Sequence, residues 1–234
     1  ADAQQRFVAN AAHQLRTPLA GVRTQLELLQ RDSDPGQRTA RAEQCIGAIE
    51  RLGHLVNQML VLLSAEPGGR HASLAEALEL SDLIRERSPD WIRLAEGRAI
   101  DLGFDLHTAR VTGDRLLLGE MVANLVINAI HYTPAQGEVT VRCHTAEGHS
   151  IIEVEDNGPG IPPALREHVF ERFFRLPGVS GPGSGLGLAI VREIARGADG
   201  DVDILTPATG RGSLLRVRLP AIQPAADGEG VKKS

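Results

Sequence analysis

Aromatic residues make up only 3% of this chain, with a single Trp and a single Tyr, so its cores must be built from Leu, Val, Ile and Ala. Cysteine is scarcer still: Cys45 and Cys143 stand in different contexts, form no metal-ligand spacing and fit a reducing, cytoplasmic setting. There is no basic excess. Lys and Arg number 25 against 30 Asp and Glu, a net charge of −5, which gives no support to a nucleic-acid surface. No apolar run approaches the roughly 20 residues that span a bilayer, and no signal-peptide pattern opens the chain. The sequence starts inside what reads as a helix, so a fragment is expected, with any membrane segment outside it. What remains is ordinary for a globular protein: 42% hydrophobic, 24% charged, and 234 residues, enough for one large domain or two small ones.

Apolar residues first recur at Val8, Ala12, Leu15, Leu19, Val22, Leu26 and Leu29. Those alternating four-three steps are the seam of a coiled-coil-like helix. The cluster Asp32-Ser33-Asp34-Pro35-Gly36 reads as the turn that ends it. A second seam runs through Cys45, Ile49, Leu52, Val56, Met59 and Leu63, and Ala65 to Gly69 closes it. Two such helices pack antiparallel. One hairpin covers only part of each stripe, so pairing two hairpins as a dimeric four-helix bundle is expected.

His13 falls just past the seam position Ala12, and Thr17 lies one turn further on the same face. Pro18 sits inside the helix, where it removes a backbone hydrogen bond at a cost of about 3 kcal/mol and predicts a kink. Alone, His13 reads as one solvated histidine among eight. Its neighbours say more. The stretch Phe7-Val8-Ala9-Asn10-Ala11-Ala12-His13-Gln14-Leu15-Arg16-Thr17-Pro18-Leu19 resembles the phospho-acceptor box of sensor histidine kinases. The resemblance implies that His13 is phosphorylated and that Thr17 helps orient water when the partner is dephosphorylated. An imidazole with a pKa near 6.5 is largely neutral and nucleophilic at physiological pH. The family more often has Glu or Asp directly after the histidine. This chain has Gln14, which cannot act as a base.

After a linker the pattern changes. Leu74 to Ala95 has helical spacing, Ala99 to Leu106 reads as a strand, and Asp114 caps a long apolar helix reaching Tyr132. Val139 to Cys143 and Ile151 to Val154 read as strands around a Glu147-Gly148 turn. Gly185 to Arg196 reads as a helix, and Asp201 to Leu205 and Leu214 to Leu219 as a last strand pair. This order predicts helices layered on one face of a sheet. The tail from Ala221 is expected to be disordered.

Glu120, Asn124, Asn128 and His131 form one polar stripe on the long helix, which in isolation is a solvated face. Asn124-Leu125-Val126-Ile127-Asn128-Ala129 resembles the family's N box, which implies that Asn124 and Asn128 approach the nucleotide phosphates and that Asn128 holds magnesium. An amide oxygen is a suitable hard ligand for that ion. His131 stands where the family usually has Lys, followed by the expected aromatic, Tyr132. Glu155-Asp156-Asn157-Gly158-Pro159-Gly160-Ile161-Pro162 resembles the first glycine box, in which the Asp reads the adenine amino group while Gly158 and Gly160 let the backbone approach the ring. Gly183-Ser184-Gly185-Leu186-Gly187-Leu188-Ala189-Ile190-Val191 resembles the second, whose glycine amides meet phosphate at a helix start. Between them, Val169-Phe170-Glu171-Arg172-Phe173-Phe174-Arg175 resembles the Phe box, with Arg175 toward the nucleotide, and Leu176 to Pro182 has the makeup of a mobile lid. A dinucleotide-binding reading of Gly183, Gly185 and Gly187 fails, because no apolar strand precedes them.

Five boxes in the family's order cover roughly Phe7 to Pro220. The fold class expected is α plus α/β: an antiparallel hairpin forming a dimeric bundle, then an α/β sandwich of the gyrase, chaperone and histidine-kinase type. The expected domains are 1–66 for dimerisation and phosphotransfer, 67–73 as linker, 74–220 for ATP binding and 221–234 as tail. The resemblance implies an ATP- and Mg2+-dependent kinase that phosphorylates His13 and hands the group to an aspartate of a response regulator. It also implies a homodimer in the cytoplasmic portion of a bacterial inner-membrane sensor, with no nucleic-acid partner. The alternatives are a gyrase- or chaperone-type ATPase, a pseudokinase scaffold suggested by Gln14 and His131, and an enzyme whose main activity is dephosphorylation through Thr17.

Overall fold

The computed structural model describes residues 2–31, 34–64, 75–177 and 184–222. The four-three steps become two long helices, α1 (Asp2–Arg31) and α2 (Pro35–Ser64), which pack along each other as an antiparallel hairpin. Helix α1 continues through Pro18. The turn reading places Pro35 and Gly36 in the connection, yet they open α2. Proline's fixed φ suits the first helical position, and the Asp34 carboxylate accepts a hydrogen bond from Gly36 N at 3.0 Å. Of the seam positions, Cys45 and Met59 are buried, whereas Leu19, Leu26, Ile49 and Val56 stay 41–54% exposed; off the seam, Leu55, Val61 and Leu62 are buried and Leu60 is 57% exposed. The reading of Ala65 to Gly69 as the end of the hairpin lies outside the described residues.

The segment expected as one helix from Leu74 begins instead with a strand, β1 (Glu76–Glu79), before α3 (Leu80–Glu96). Its partner is β3 (Arg110–Gly113), which sequence patterning does not reveal; Leu78 lies opposite Val111, and both are buried. Glu79 locks the junction by accepting hydrogen bonds from Ala109 N at 2.6 Å and Ser81 Oγ at 3.0 Å. Tertiary pairing thus overrides the helix preference of Glu-Ala-Leu-Glu.

The remaining elements are β2 (Asp101–Leu106), α4 (Arg115–Tyr132), β4 (Glu138–Ala146), β5 (His149–Asp156), α5 (Gly187–Gly197), β6 (Asp201–Leu205) and β7 (Ser213–Pro220). Five strands form one sheet in the order β2-β4-β5-β7-β6, parallel between β2 and β4 and antiparallel elsewhere. Alternation sorts its two faces. Val139, Val141, Ile152, Val154, Leu215 and Val217 are buried in the hydrophobic core. The opposite face carries cross-strand ion pairs, Arg142–Glu155 at 2.6 Å and Arg216–Glu153 at 2.7 Å. Asp114 caps α4, accepting from Leu116 N and Leu117 N at 2.8 and 3.2 Å. That helix is apolar nearly all round because α3, α5 and the sheet enclose it. Cys143 is a small core residue; burial pushes its thiol up to about 12, so it stays protonated. The tail reading starts too early: Ala221 N donates to Gly148 O and Ile222 N to Arg110 O, at 3.0 and 2.9 Å. The rest of the tail lies outside the described residues.

Candidate functional site

The end of β5 delivers Asp156 into the interior, where only 7% of the residue is exposed. Its Oδ1 accepts from Gly158 N at 2.8 Å and Ser213 N at 3.3 Å. Both backbone donors converge on one oxygen, leaving Oδ2 for another donor. Burial pushes this carboxyl above the ordinary aspartate value; the two backbone bonds oppose that rise, and the nearby Glu155 charge adds to it. The backbone around it is tight. Gly212 has φ +90°, and a Cβ there would lie 1.7 Å from Asp156 O. Only glycine fits both that conformation and that space. A Cβ on Gly160 would stand 2.8 Å from Gly212 O, and one on Gly158 2.9 Å from Asp156 Oδ1 and 3.0 Å from Tyr132 O.

Tyr132 is the last residue of α4 and 37% exposed. One and two turns earlier on that helix stand Asn128 and Asn124, so the polar groups spread over about 12 Å of axis. Gly187, first residue of α5, closes against them. A Cβ on it would lie 3.0 Å from Asn124 Oδ1 and 3.1 Å from Asn128 Nδ2. No side chain caps α5, so its first-turn amides lie beside the two asparagines as donors suited to an anion. Asn124 is buried, and its Nδ2 donates to Glu120 O at 2.8 Å. Asn128 is only half-buried.

The Phe box supports the start of α5. Gly185 has φ +72°, and its carbonyl accepts from Phe173 N at 2.8 Å; a Cβ on it would meet the Phe173 backbone at 2.7 Å. Arg192 on α5 lays its guanidinium 3.9 Å above the Phe170 ring and pairs with Glu167 at 2.9 Å. Leu188 packs half-buried against the core.

The structure therefore gathers Asn124, Asn128 and Gly187 along the C-terminal half of α4, and Tyr132, Asp156, Gly158 and Gly160 at its C-terminal end. His131 lies in the last turn of α4, its carbonyl held by Arg98 Nη2 at 3.1 Å, and Arg175 is exposed. His13 and Thr17 lie one turn apart on α1; their side chains, Gly183 and most of the lid reading, 178–182, fall outside the described residues. Sequence reasoning missed Gly212 and Ser213, which back Asp156 although a Gly-x-Gly-Ser run was there to notice. It also missed Thr133, whose hydroxyl is buried with no hydrogen-bond partner beside the Gly137–Asn157 corner.

Comparison with known proteins places the chain in a family. Residues 3–68 match the family described as His Kinase A (phospho-acceptor) domain, and residues 113–223 match the histidine kinase-, DNA gyrase B-, and HSP90-like ATPase family. The chain is similar to the sensor protein kinase PmrB of Pseudomonas aeruginosa, 35% identical over 96% of this chain and 47% of that protein. A solved mycobacterial sensor histidine kinase, MprB, is 36% identical with a TM-score of 0.56, covering 63% of this chain and 97% of that one. This chain belongs to the sensor histidine kinases. Full-length ShkA, solved in complex with AMPPNP, is 25% identical with a TM-score of 0.69 and covers 94% of this chain and 47% of that one. The chain spans about half the length of the curated histidine-kinase relatives it matches.

Proposed function

We propose that this chain binds Mg-ATP in the pocket between α4, α5 and the end of β5, phosphorylates His13, and passes the phosphoryl group to an aspartate of a response-regulator receiver domain. One observation carries the reading: Asp156, with one oxygen fixed by two backbone amides, lies near the C-terminal end of α4, and the uncapped start of α5 lies beside the two asparagines one and two turns back along that helix. Asp156 Oδ2 suits the exocyclic amine of adenine, and the α5 amides suit the phosphates. The donor set fits magnesium, for which Asn128 offers a half-buried amide oxygen. Phosphoryl transfer needs mainly positioning and charge stabilisation, and the imidazole of His13 supplies the nucleophile. Gln14 beside it cannot take the imidazole proton, which leaves to water or to another group.

Two further parts belong to the proposal. The exposed residues Leu19, Leu26, Ile49, Val56 and Leu60 form the face on which a second hairpin closes a homodimeric four-helix bundle. In the whole protein the chain would stand on the cytoplasmic side of a membrane-anchored sensor; among the described residues no helix is long and apolar enough to cross a membrane. Thr17 supports a second activity, dephosphorylation of the partner.

Incubation with γ-labelled ATP tests the reading. The account expects label that is stable in alkali, lost in acid and absent from His13→Ala, with ATP binding retained. Label that persists on His13→Ala would overturn it.

A further inference from the structure

Gln58 is the residue of the hairpin that the proposed reaction leaves without a task. It lies on α2 and is 7% exposed, a poor place for a primary amide among Leu55, Met59 and Leu62. Both ends of that amide reach across to the nucleotide site. Nε2 donates to Asn124 Oδ1 at 3.3 Å, and Oε1 accepts from Ser184 Oγ at 2.8 Å. Ser184 in turn accepts from Leu186 N at 3.2 Å, at the entrance to α5. The other end of the Asn124 amide is already committed to Glu120 O. One side chain of the hairpin thus joins the helix carrying the paired asparagines to the loop leading into the phosphate-facing helix.

We propose that Gln58 is a positioning residue of the nucleotide site, a pin that competes with the bound nucleotide for Asn124 and Ser184. This rests on the nucleotide-site reading above. In the arrangement seen here Asn124 Oδ1, the atom with which it could serve a phosphate-bound ion or water, is engaged by Gln58. The ATP-binding lobe is thereby held on α2 by the same groups that the nucleotide needs. Nucleotide binding and docking on the hairpin oppose each other, and thermodynamic linkage makes that opposition reciprocal. Filling the pocket loosens α2 from the lobe, and loosening α2 tightens the pocket. The pin lets the lobe leave its resting seat when Mg-ATP arrives.

The decisive experiment is done on the full chain with Mg-AMPPNP as the probe, by calorimetric titration and amide hydrogen exchange. In the unaltered chain, saturating Mg-AMPPNP is expected to speed exchange of α2 amides around Gln58 several-fold. Gln58→Met, which keeps the side-chain volume but makes neither bond, is expected to bind the probe about 5–10-fold tighter, as removal of a competing state requires. Gln58→Leu, which likewise makes neither bond, is expected to shift in the same direction. Slower or unchanged α2 exchange on binding overturns the proposal whether or not either variant folds, as does equal or weaker binding by folded Gln58→Met. No binding by the unaltered chain would instead overturn the nucleotide-site reading.

Discussion

Asp156 places a carboxyl where the protein disfavours its charged form. Its native pKa lies above that of the unfolded chain because burial outweighs two backbone hydrogen bonds. The contribution of this carboxyl to stability is therefore fully present below the ordinary aspartate value and is lost as pH rises through the raised one. An adenine amine prefers the ionised acceptor, so nucleotide affinity should run the other way, strengthening with pH over that interval. Calorimetric titration with ATP from pH 4.5 to 8 should show the midpoint above the usual aspartate range. Asp156→Asn should bind about tenfold more weakly, equivalent to roughly 1.4 kcal/mol, with that pH step gone. A step that survived in the variant would assign it to another group. The glycines offer a second contrast. Gly148 has φ +75° with nothing near its missing Cβ, whereas Gly212 has both a positive φ and Asp156 O at 1.7 Å. Thermal unfolding should cost Gly148→Ala about 1 kcal/mol and Gly212→Ala about 3 kcal/mol or more, with loss of ATP binding only in the latter. Equal costs would mean that the backbone near Asp156 gives way more easily than its contacts imply.

At the scale of elements, α4 carries the residues of the proposed nucleotide site, and its start depends on Asp114. Asp114→Ala removes an acceptor shared by two amides and should cost about 1 kcal/mol. Denaturant unfolding checks this; no change would mean water replaces the cap. Asp114, the strand-turn-strand of β4 and β5, and the glycine boxes are legible in the sequence because each depends on neighbours within a few residues. β1 and β3 are not. Each is four residues long, and each exists because of the other, some thirty residues away. The same reasoning explains Gln58, whose partners stand 66 and 126 positions along the chain. It reads as one polar residue on a helix until the fold brings α2 against α5. Asp156 was legible as a strand-end carboxylate, but the Gly212–Ser213 support was not, because β7 joins β5 only in the sheet.

At the scale of the whole molecule, the outward face of the hairpin supports the proposed pairing with a second copy. Met59 and Leu62 already pack within the chain's own core, while Leu19, Val56 and Leu60 face outward, each more than 40% exposed. Glu at Leu19 and Val56 would bury unpaired charges in the proposed dimer, at a cost of several kcal/mol. Light scattering should find the unaltered chain dimeric at micromolar concentration and the double variant monomeric. A monomeric unaltered chain would count against the bundle. The central claim is that one chain couples an Asp156-anchored nucleotide pocket to phosphorylation of His13. The most direct test is single-turnover incubation with γ-labelled Mg-ATP and mapping of the label by mass spectrometry under alkaline conditions. The account predicts label on His13, incorporation slowed in Asp156→Asn at subsaturating ATP, and none in His13→Ala. Label on any other residue, or undiminished label in either variant, would contradict it.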